Sequence, residues 1–193
     1  MINKLIGSIF IALVLLSCAS NKEQKELKTG TNIGNLAPEL AYPSVNGDTI
    51  SLNSLRGSVV LIDFWASWCR PCRWENRNLI QTVSTFKDKD FPNGVNWYGK
   101  TKSAKGFKVF SVSLDQNKAG WERAIKQDKL DWPWHVSDLK GWRSAPAKTY
   151  KVSSIPTNYL IDANGIIVGK NLRGKDLDKA LEQLSIKNET ETK

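Results

Sequence analysis

Two kinds of hydrophobic pattern alternate along the chain. Residues 59–65 are nearly all apolar and β-favouring, which is typical of a strand buried on both faces, and residues 107–114 predict the next buried strand. Residues 157–161 and 166–170 read as two further strands, and the turn-forming pair Asn164-Gly165 lies between them. The pattern therefore predicts at least four strands, of which the last two form a hairpin.

Helical patterns occupy the stretches between and after these strands. The first helix is predicted to begin at Pro71, because proline suits the first helical position, and to run to about Phe86. Residues 118–128, 142–150 and 176–184 predict three more helices. A strand at residues 49–52, after the turn signal Asn46-Gly47, predicts an N-terminal β-hairpin extension. Together these elements predict an α/β fold in which a central mixed β-sheet is flanked by helices.

The ends of the chain and one internal stretch do not follow this alternation. Residues 18–35 are polar and predict a flexible tether, and residues 188–193 predict a disordered tail, which leaves residues 36–187 as the domain. Residues 87–106 predict an insertion loop after the first helix, of a length that is usually functional or mobile.

The first residues predict an export signal. Lys4 is followed by an apolar run from Leu5 to Leu16, which is too short to cross a bilayer comfortably. The run ends in Leu15-Leu16-Ser17-Cys18, which resembles the lipobox of bacterial lipoproteins. This resemblance implies a signal peptide over residues 1–17, lipidation of Cys18, and a membrane-anchored protein of the cell envelope that faces the periplasm. An ordinary secretory signal with a chance cysteine is the alternative.

The net charge of +9 alters this picture little. The basic residues are scattered, without a run of five or six, so nucleic acid is not an expected partner. Removal of the signal would take away only Lys4 among the charged residues and would leave two free cysteines, Cys69 and Cys72, beside the lipidated Cys18.

Cys69 and Cys72 are the candidate reactive groups. Cys69 stands where a buried strand turns into a helix, and the unpaired N–H groups and positive dipole of a helix N-terminus favour a thiolate. Arg70 adds a second positive charge. We therefore expect Cys69 to be the exposed nucleophile with a lowered pKa, and the more buried Cys72 to resolve the mixed disulfide. A structural disulfide across so short a loop would stabilise the fold little.

The segment from Val60 to Cys72 resembles the thioredoxin superfamily, and within it the membrane-anchored TlpA/ResA-type branch, also called redoxin or AhpC/TSA-like. The resemblance covers roughly residues 36–184, and it includes residues 52–57, residues 109–115 and Ser154-Ile155-Pro156-Thr157. It implies a thioredoxin-like fold and a thiol–disulfide oxidoreductase. Its expected role is to reduce disulfides in envelope proteins, with apocytochrome c among the candidates. It also implies a membrane electron donor of the thiol-reductase type, and no cofactor besides the redox-active pair.

The same resemblance assigns roles to residues around the cysteines. It implies that Pro156 is cis, faces the pair and holds extended substrate backbone. The remaining residues that we expect to contact substrate are Trp68, Arg70, Pro71, Ile155 and Thr157. Trp65 is expected in the core, Arg73 on a solvated face, and Trp132, Trp134 and Trp142 in a satellite core.

Two acids are candidates for proton transfer. Asp63 interrupts an apolar strand, where an ionised carboxylate would be costly, so it should be neutral or hydrogen-bonded. It matches the buried aspartate of thioredoxins, which exchanges a proton with the cysteine equivalent to Cys72. Glu75 shares a helical stripe with Leu79 and matches the glutamate of C-x-x-C-x-x-E in the TlpA/ResA-type branch. Many members of that branch carry asparagine at the Asp63 position, so the division of labour between the two acids stays open.

Three other functions fit the sequence less well. A metal site would need ligands beyond the cysteine pair, and His135 is the single histidine, so no metal is expected. A thiol peroxidase would carry threonine or serine at Ala66 and proline at Ile62. An envelope lipoprotein that only binds partners would not need the combination of Cys69, Cys72 and Pro156.

Overall fold

The computed structural model describes residues 27–92 and 104–185. The predicted signal peptide, the lipidation residue Cys18, the C-terminal tail and the middle of the insertion lie outside the described residues. The strands are β1 (Ala41–Pro43), β2 (Thr49–Ser51), β3 (Val59–Trp65), β4 (Asp90–Phe91), β5 (Ala104–Lys105), β6 (Phe107–Ser113), β7 (His135–Val136), β8 (Thr157–Ile161) and β9 (Ile167–Lys170). The helices are α1 (Arg70–Phe86), α2 (Lys118–Asp128), α3 (Ala145–Thr149) and α4 (Lys175–Ser185).

A five-stranded sheet in the order β7-β6-β3-β8-β9 forms the centre of the fold. Strand β3 lies in the middle, where it pairs with β6 in parallel and with β8 antiparallel. All seven residues of β3 are buried, because side chains on both faces of this strand are covered. The predicted central mixed sheet flanked by helices is confirmed.

The edge strand β7 was not predicted from the sequence. It consists of His135 and Val136 alone, and it pairs in parallel with Ser111 and Val112 of β6. Two residues are too few to show an alternating pattern, so only the neighbouring strand reveals this element.

The predicted helix over residues 142–150 is wrong, because the structure contains two shorter pieces there. A 3₁₀ turn covers Gly141–Arg143, and α3 begins after Ser144, whose ψ of 129° is not helical. Pro146 explains the break, since it lacks the N–H that a continuous helix would need and is favoured in a first turn instead.

The end of the predicted tether is attached to the last hairpin of the sheet. The N–H of Gly34 donates to Ile167 O at 2.8 Å, and the N–H of Ile167 donates to Asn35 O at 2.9 Å. These bonds extend the hydrogen-bonded part of the domain to residues before residue 36.

Strands β4 and β5 pair at the base of the insertion. Gly106 follows β5 with a φ of 74°, and a Cβ at this position would lie 2.2 Å from Lys87 O. Glycine is therefore required where the chain leaves the insertion and enters β6. Within the described part of the chain, no helix is both long and apolar enough to cross a membrane.

Candidate active site

The two cysteines lie where the central strand turns into α1. Cys69 is the N-cap of this helix, and its Sγ accepts a hydrogen bond from the N–H of Cys72 at 3.2 Å. The two sulfur atoms are bonded at 2.06 Å, so the pair is in its disulfide form. Cys69 keeps 5% of its surface exposed and Cys72 keeps 1%. In this oxidised form Cys69 is therefore buried and not exposed as expected, although it is the more accessible of the two.

A loop before β8 faces the cysteine pair. The Ile155–Pro156 peptide bond is cis, and Ile155 O lies 3.8 Å from Cys69 Sγ. The Thr157 hydroxyl donates to Ser154 O at 2.7 Å and so closes the loop on itself. The structure thus brings Ile155, Pro156 and Thr157 next to the predicted nucleophile.

Asp63 lies in the middle of β3 and is almost fully buried. Its burial, and secondarily the carboxylate of Glu75, raise the pKa of Asp63 from 3.8 to about 7, while the positive charge of Arg173 acts in the opposite direction. The acid is therefore largely protonated below neutral pH and can both give and take a proton near pH 7.

Glu75 lies at the border of the buried face of α1. Its Oε1 accepts a hydrogen bond from the N–H of Gly174 at 2.9 Å, and its Oε2 accepts one from Asn78 Nδ2 at 2.9 Å. Glu75 is half-buried, whereas Cys72 and Leu79 on the same helix are buried. The backbone before α4 thus fixes one oxygen of Glu75, and the Glu75 charge is near enough to act on Asp63.

Arg173 is a site residue that the sequence analysis missed. Its Nη2 donates to Pro156 O, and its positive charge opposes the rise in the pKa of Asp63 that burial causes. The next residue, Gly174, is the one that binds Glu75. The loop before α4 therefore contacts both Pro156 and Glu75, and no sequence motif marks it.

Asp115 was also missed as a structural support of the site. Its buried carboxylate accepts hydrogen bonds from the N–H and the hydroxyl of Ser67, at 3.0 and 2.5 Å, and from the Ser113 hydroxyl at 2.6 Å. Ser67 lies two residues before Cys69, so these bonds hold the turn that presents the nucleophile.

The expectation that Arg73 lies on a solvated face is wrong. Its guanidinium binds the Asp128 carboxylate through Nε and Nη2, and its Nη1 donates to Ser67 O at 3.2 Å. Asn76 Nδ2 donates to the same carboxylate at 2.7 Å. A planar guanidinium suits this two-pronged contact, which ties the active-site turn and α1 to the end of α2.

Tryptophan side chains surround the entrance to the site. Trp68 and Trp142 are about half exposed, and their ring centres are 6.2 Å apart. The placement of Trp142 in a satellite core is therefore wrong, because its partner is the tryptophan beside Cys69. Trp65 is buried in the core as expected, and Trp132 is also buried.

The single histidine is also buried. His135 stacks on Trp132 with ring centres 5.5 Å apart, and its Nε2 lies 3.1 Å from Leu130 O. Burial lowers the pKa of His135 to about 4, so the ring is neutral at physiological pH. Among residues 27–92 and 104–185, no group of three or more His, Cys, Asp or Glu side chains could hold a metal ion.

Comparisons with known proteins agree with this geometry. Residues 57–167 match a protein family described as Thioredoxin-like. The chain is 27% identical over 189 residues to the thiol-disulfide oxidoreductase ResA of Bacillus thuringiensis, which covers 94% of each chain. It is 28% identical over 169 residues to the thioredoxin-like protein YneN of Bacillus subtilis, covering 86% of this chain and 88% of that one.

A solved structure is similar as well. The thioredoxin domain of a thiol-disulfide oxidoreductase from Bacteroides vulgatus superposes with a TM-score of 0.67 at 32% sequence identity. The similarity covers 80% of this chain and 99% of that domain. The family match over residues 57–167 includes the cysteine pair and the loop that faces it.

Proposed function

The chain belongs to the thioredoxin-like family, and from that premise we propose that it is a lipid-anchored thiol–disulfide oxidoreductase that reduces disulfides of envelope proteins. The oxidoreductase activity resides in the Cys69–Cys72 pair. The observation that carries this assignment is the position of the pair at the N-terminus of α1, with Ile155 O 3.8 Å from Cys69 Sγ.

The reaction is a two-electron exchange between dithiol and disulfide. The Cys69 thiolate attacks one sulfur of the substrate disulfide, and the other substrate sulfur leaves as a thiolate that takes up a proton. Cys72 then loses its proton and attacks Cys69, which releases the second substrate thiol and leaves the Cys69–Cys72 disulfide. The substrate gains two electrons and two protons, and the pair loses them.

The surrounding groups support each half of this exchange. The N–H of Cys72 points at Cys69 Sγ, so a thiolate there gains a hydrogen bond besides the helix dipole. Asp63 of β3 and Glu75, which follows Cys72 by three residues on α1, are the groups that we propose accept its proton. A pKa of about 7 makes Asp63 suited to this transfer near neutral pH.

Substrate backbone would lie along the loop that contains Ile155, Pro156 and Thr157. Trp68 offers an apolar surface beside the nucleophile, and it is 55% exposed. Arg70 and Pro71 are exposed at the start of α1, so both can contact a partner that reaches Cys69.

The reducing direction rests on residues between and near the cysteines. Proline precedes Cys72 as in thioredoxin, and the pair encloses no histidine of the kind found in strongly oxidising relatives. Arg70 favours the thiolate and so acts in the oxidising direction, but this exposed charge is screened by salt. A reductant in an oxidising compartment needs electrons from a membrane donor, which we propose to be a thiol reductase. Envelope proteins with disulfides, including apocytochrome c, are the proposed substrates.

The location in the envelope is supported by the N-terminal sequence. The apolar run before Leu15-Leu16-Ser17-Cys18 resembles a lipoprotein signal, and acyl chains on Cys18 would hold the domain at the membrane. Growth with a radioactive fatty acid tests this, because label should enter the wild-type chain and not Cys18→Ser. Equal labelling of both would contradict the anchor.

Turnover tests the proposed activity. The wild-type protein should catalyse reduction of insulin disulfides by dithiothreitol, and Cys69→Ala should abolish this catalysis because the attacking sulfur is gone. Reduced Cys72→Ala, freed of dithiothreitol and mixed with an oxidised substrate protein, should stop after the first step and accumulate mixed disulfides that non-reducing electrophoresis detects. Catalysis that survives in Cys69→Ala would contradict the assignment.

A further inference from the structure

A groove beside Cys69 is lined mainly by arginine and tryptophan. It has a volume of about 310 Å³, and its lining residues are Ser67, Trp68, Arg70, Arg73, Trp74, Arg77 and Asp128. The only carboxylate among them belongs to Asp128, and this group is already bound by Arg73. Within residues 27–92 and 104–185, neither Arg70 nor Arg77 forms an ion pair. The groove therefore carries positive charge that no described carboxylate neutralises.

The charged residues form a stripe that begins at the nucleophile. Arg70, Trp74 and Arg77 are spaced by four and three residues, so they lie on one face of α1, and all three are exposed. The Arg70 guanidinium lies 5.2 Å from the centre of the Trp74 ring. This contact keeps the Arg70 charge over an aromatic surface. The stripe starts one residue after Cys69 and extends about 10 Å along the helix, which equals about three residues of extended chain.

We infer that this groove selects substrates with acidic residues within a few positions of the reacting cysteine. The inference rests on the proposed function, because it describes the flanking part of a segment whose disulfide reaches Cys69. Acidic side chains of that segment would meet Arg70 and Arg77, and an apolar or aromatic neighbour would lie on Trp68 or Trp74. Charge complementarity at the edge of an interface acts mainly on association rate and partner choice.

Exchange kinetics with matched peptides test this selection. The full chain, reduced and in neutral detergent, is mixed with three peptides that carry the same disulfide and differ only in two flanking residues, which are Glu, Gln or Lys. The Glu peptide should react about three- to tenfold faster than the Gln peptide at low ionic strength, and the Lys peptide should be the slowest. This spread should shrink at high salt, because exposed charges are screened.

Charge reversal locates the effect. Arg77→Glu should move the preference from the Glu peptide toward the Lys peptide, because Arg77 contacts neither cysteine but lines the groove. Lys179→Glu is the matched control, since it makes the same charge change on an exposed face of α4 outside the groove and should keep the order of wild type. Equal rates for all three peptides with the wild-type protein, or the same shift in both variants, would overturn the inference.

Two further outcomes are informative. If the wild-type protein reacts with no peptide, not even the Gln peptide, the proposed function itself fails. If the three peptides react equally while binding to phosphatidylglycerol vesicles is lost in Arg77→Glu and kept in Lys179→Glu, the charge serves a membrane surface, and the inference of an acidic protein substrate is refuted.

Discussion

Replacing Asp63 with asparagine should remove a pH dependence of stability that this buried acid creates. Burial and the Glu75 carboxylate raise the pKa of Asp63 from 3.8 to about 7. The folded protein thus keeps a proton that the unfolded chain has already lost, so this group's contribution to stability is full below about pH 4 and falls as pH rises to about 7. The difference between the two pKa values corresponds to about 4 kcal/mol of folding stability that the protonated acid contributes. About 2–3 kcal/mol of this stability is lost between pH 5 and pH 8.

Guanidinium denaturation of the oxidised protein at pH 5 and pH 8, followed by circular dichroism, measures this effect. Between these two pH values, the free energy of unfolding of wild type should fall by about 2–3 kcal/mol more than that of Asp63→Asn. Comparing the change with pH cancels the packing cost of the amide and the groups that titrate equally in both proteins. Parallel pH profiles for the two proteins would refute the raised pKa of Asp63.

Three further predictions concern the other groups around the pair. Glu75→Gln should slow decay of the mixed disulfide by at least about tenfold in stopped-flow measurements, because a proposed acceptor of the Cys72 proton is lost, and a wild-type rate would remove Glu75 from that role. In the reduced protein, Cys69 should alkylate faster than Cys72 at neutral pH, with a pKa below the usual 8.5 or so, and faster alkylation of Cys72 would reverse the two roles. Arg73→Met should lower the free energy of unfolding by about 1–3 kcal/mol, because Asp128 loses its cation, and an unchanged denaturation midpoint would contradict this.

The centre of the fold could be predicted because its signals are local. Strand β3 is an apolar run interrupted only by Asp63, and its predicted bounds agree with those observed. The start of α1 was predicted to within one residue, since Pro71 and the cysteine before it mark a helix N-terminus. The same motif placed Cys69 and Cys72 at the site.

The supports of the site could not be predicted because they depend on contacts between distant segments. Arg173 reaches Pro156 across a hairpin of the sheet, and Asp115 holds Ser67 from the end of the adjacent strand. The rings of Trp142 and Trp68 lie in contact because the chain after β7 turns back toward the start of α1. None of these contacts between distant segments leaves a periodic pattern in the sequence.

The reduction potential of the Cys69–Cys72 pair is the most direct test of a reducing thiol–disulfide oxidoreductase. The protein is equilibrated with defined mixtures of reduced and oxidised dithiothreitol or glutathione, and the fraction of free thiol is measured after acid quenching. A dithiol built for reduction should give a value near that of thioredoxin, about −270 mV. A value near that of a strong oxidase, about −120 mV, would contradict the reducing role even if both cysteines exchange as proposed.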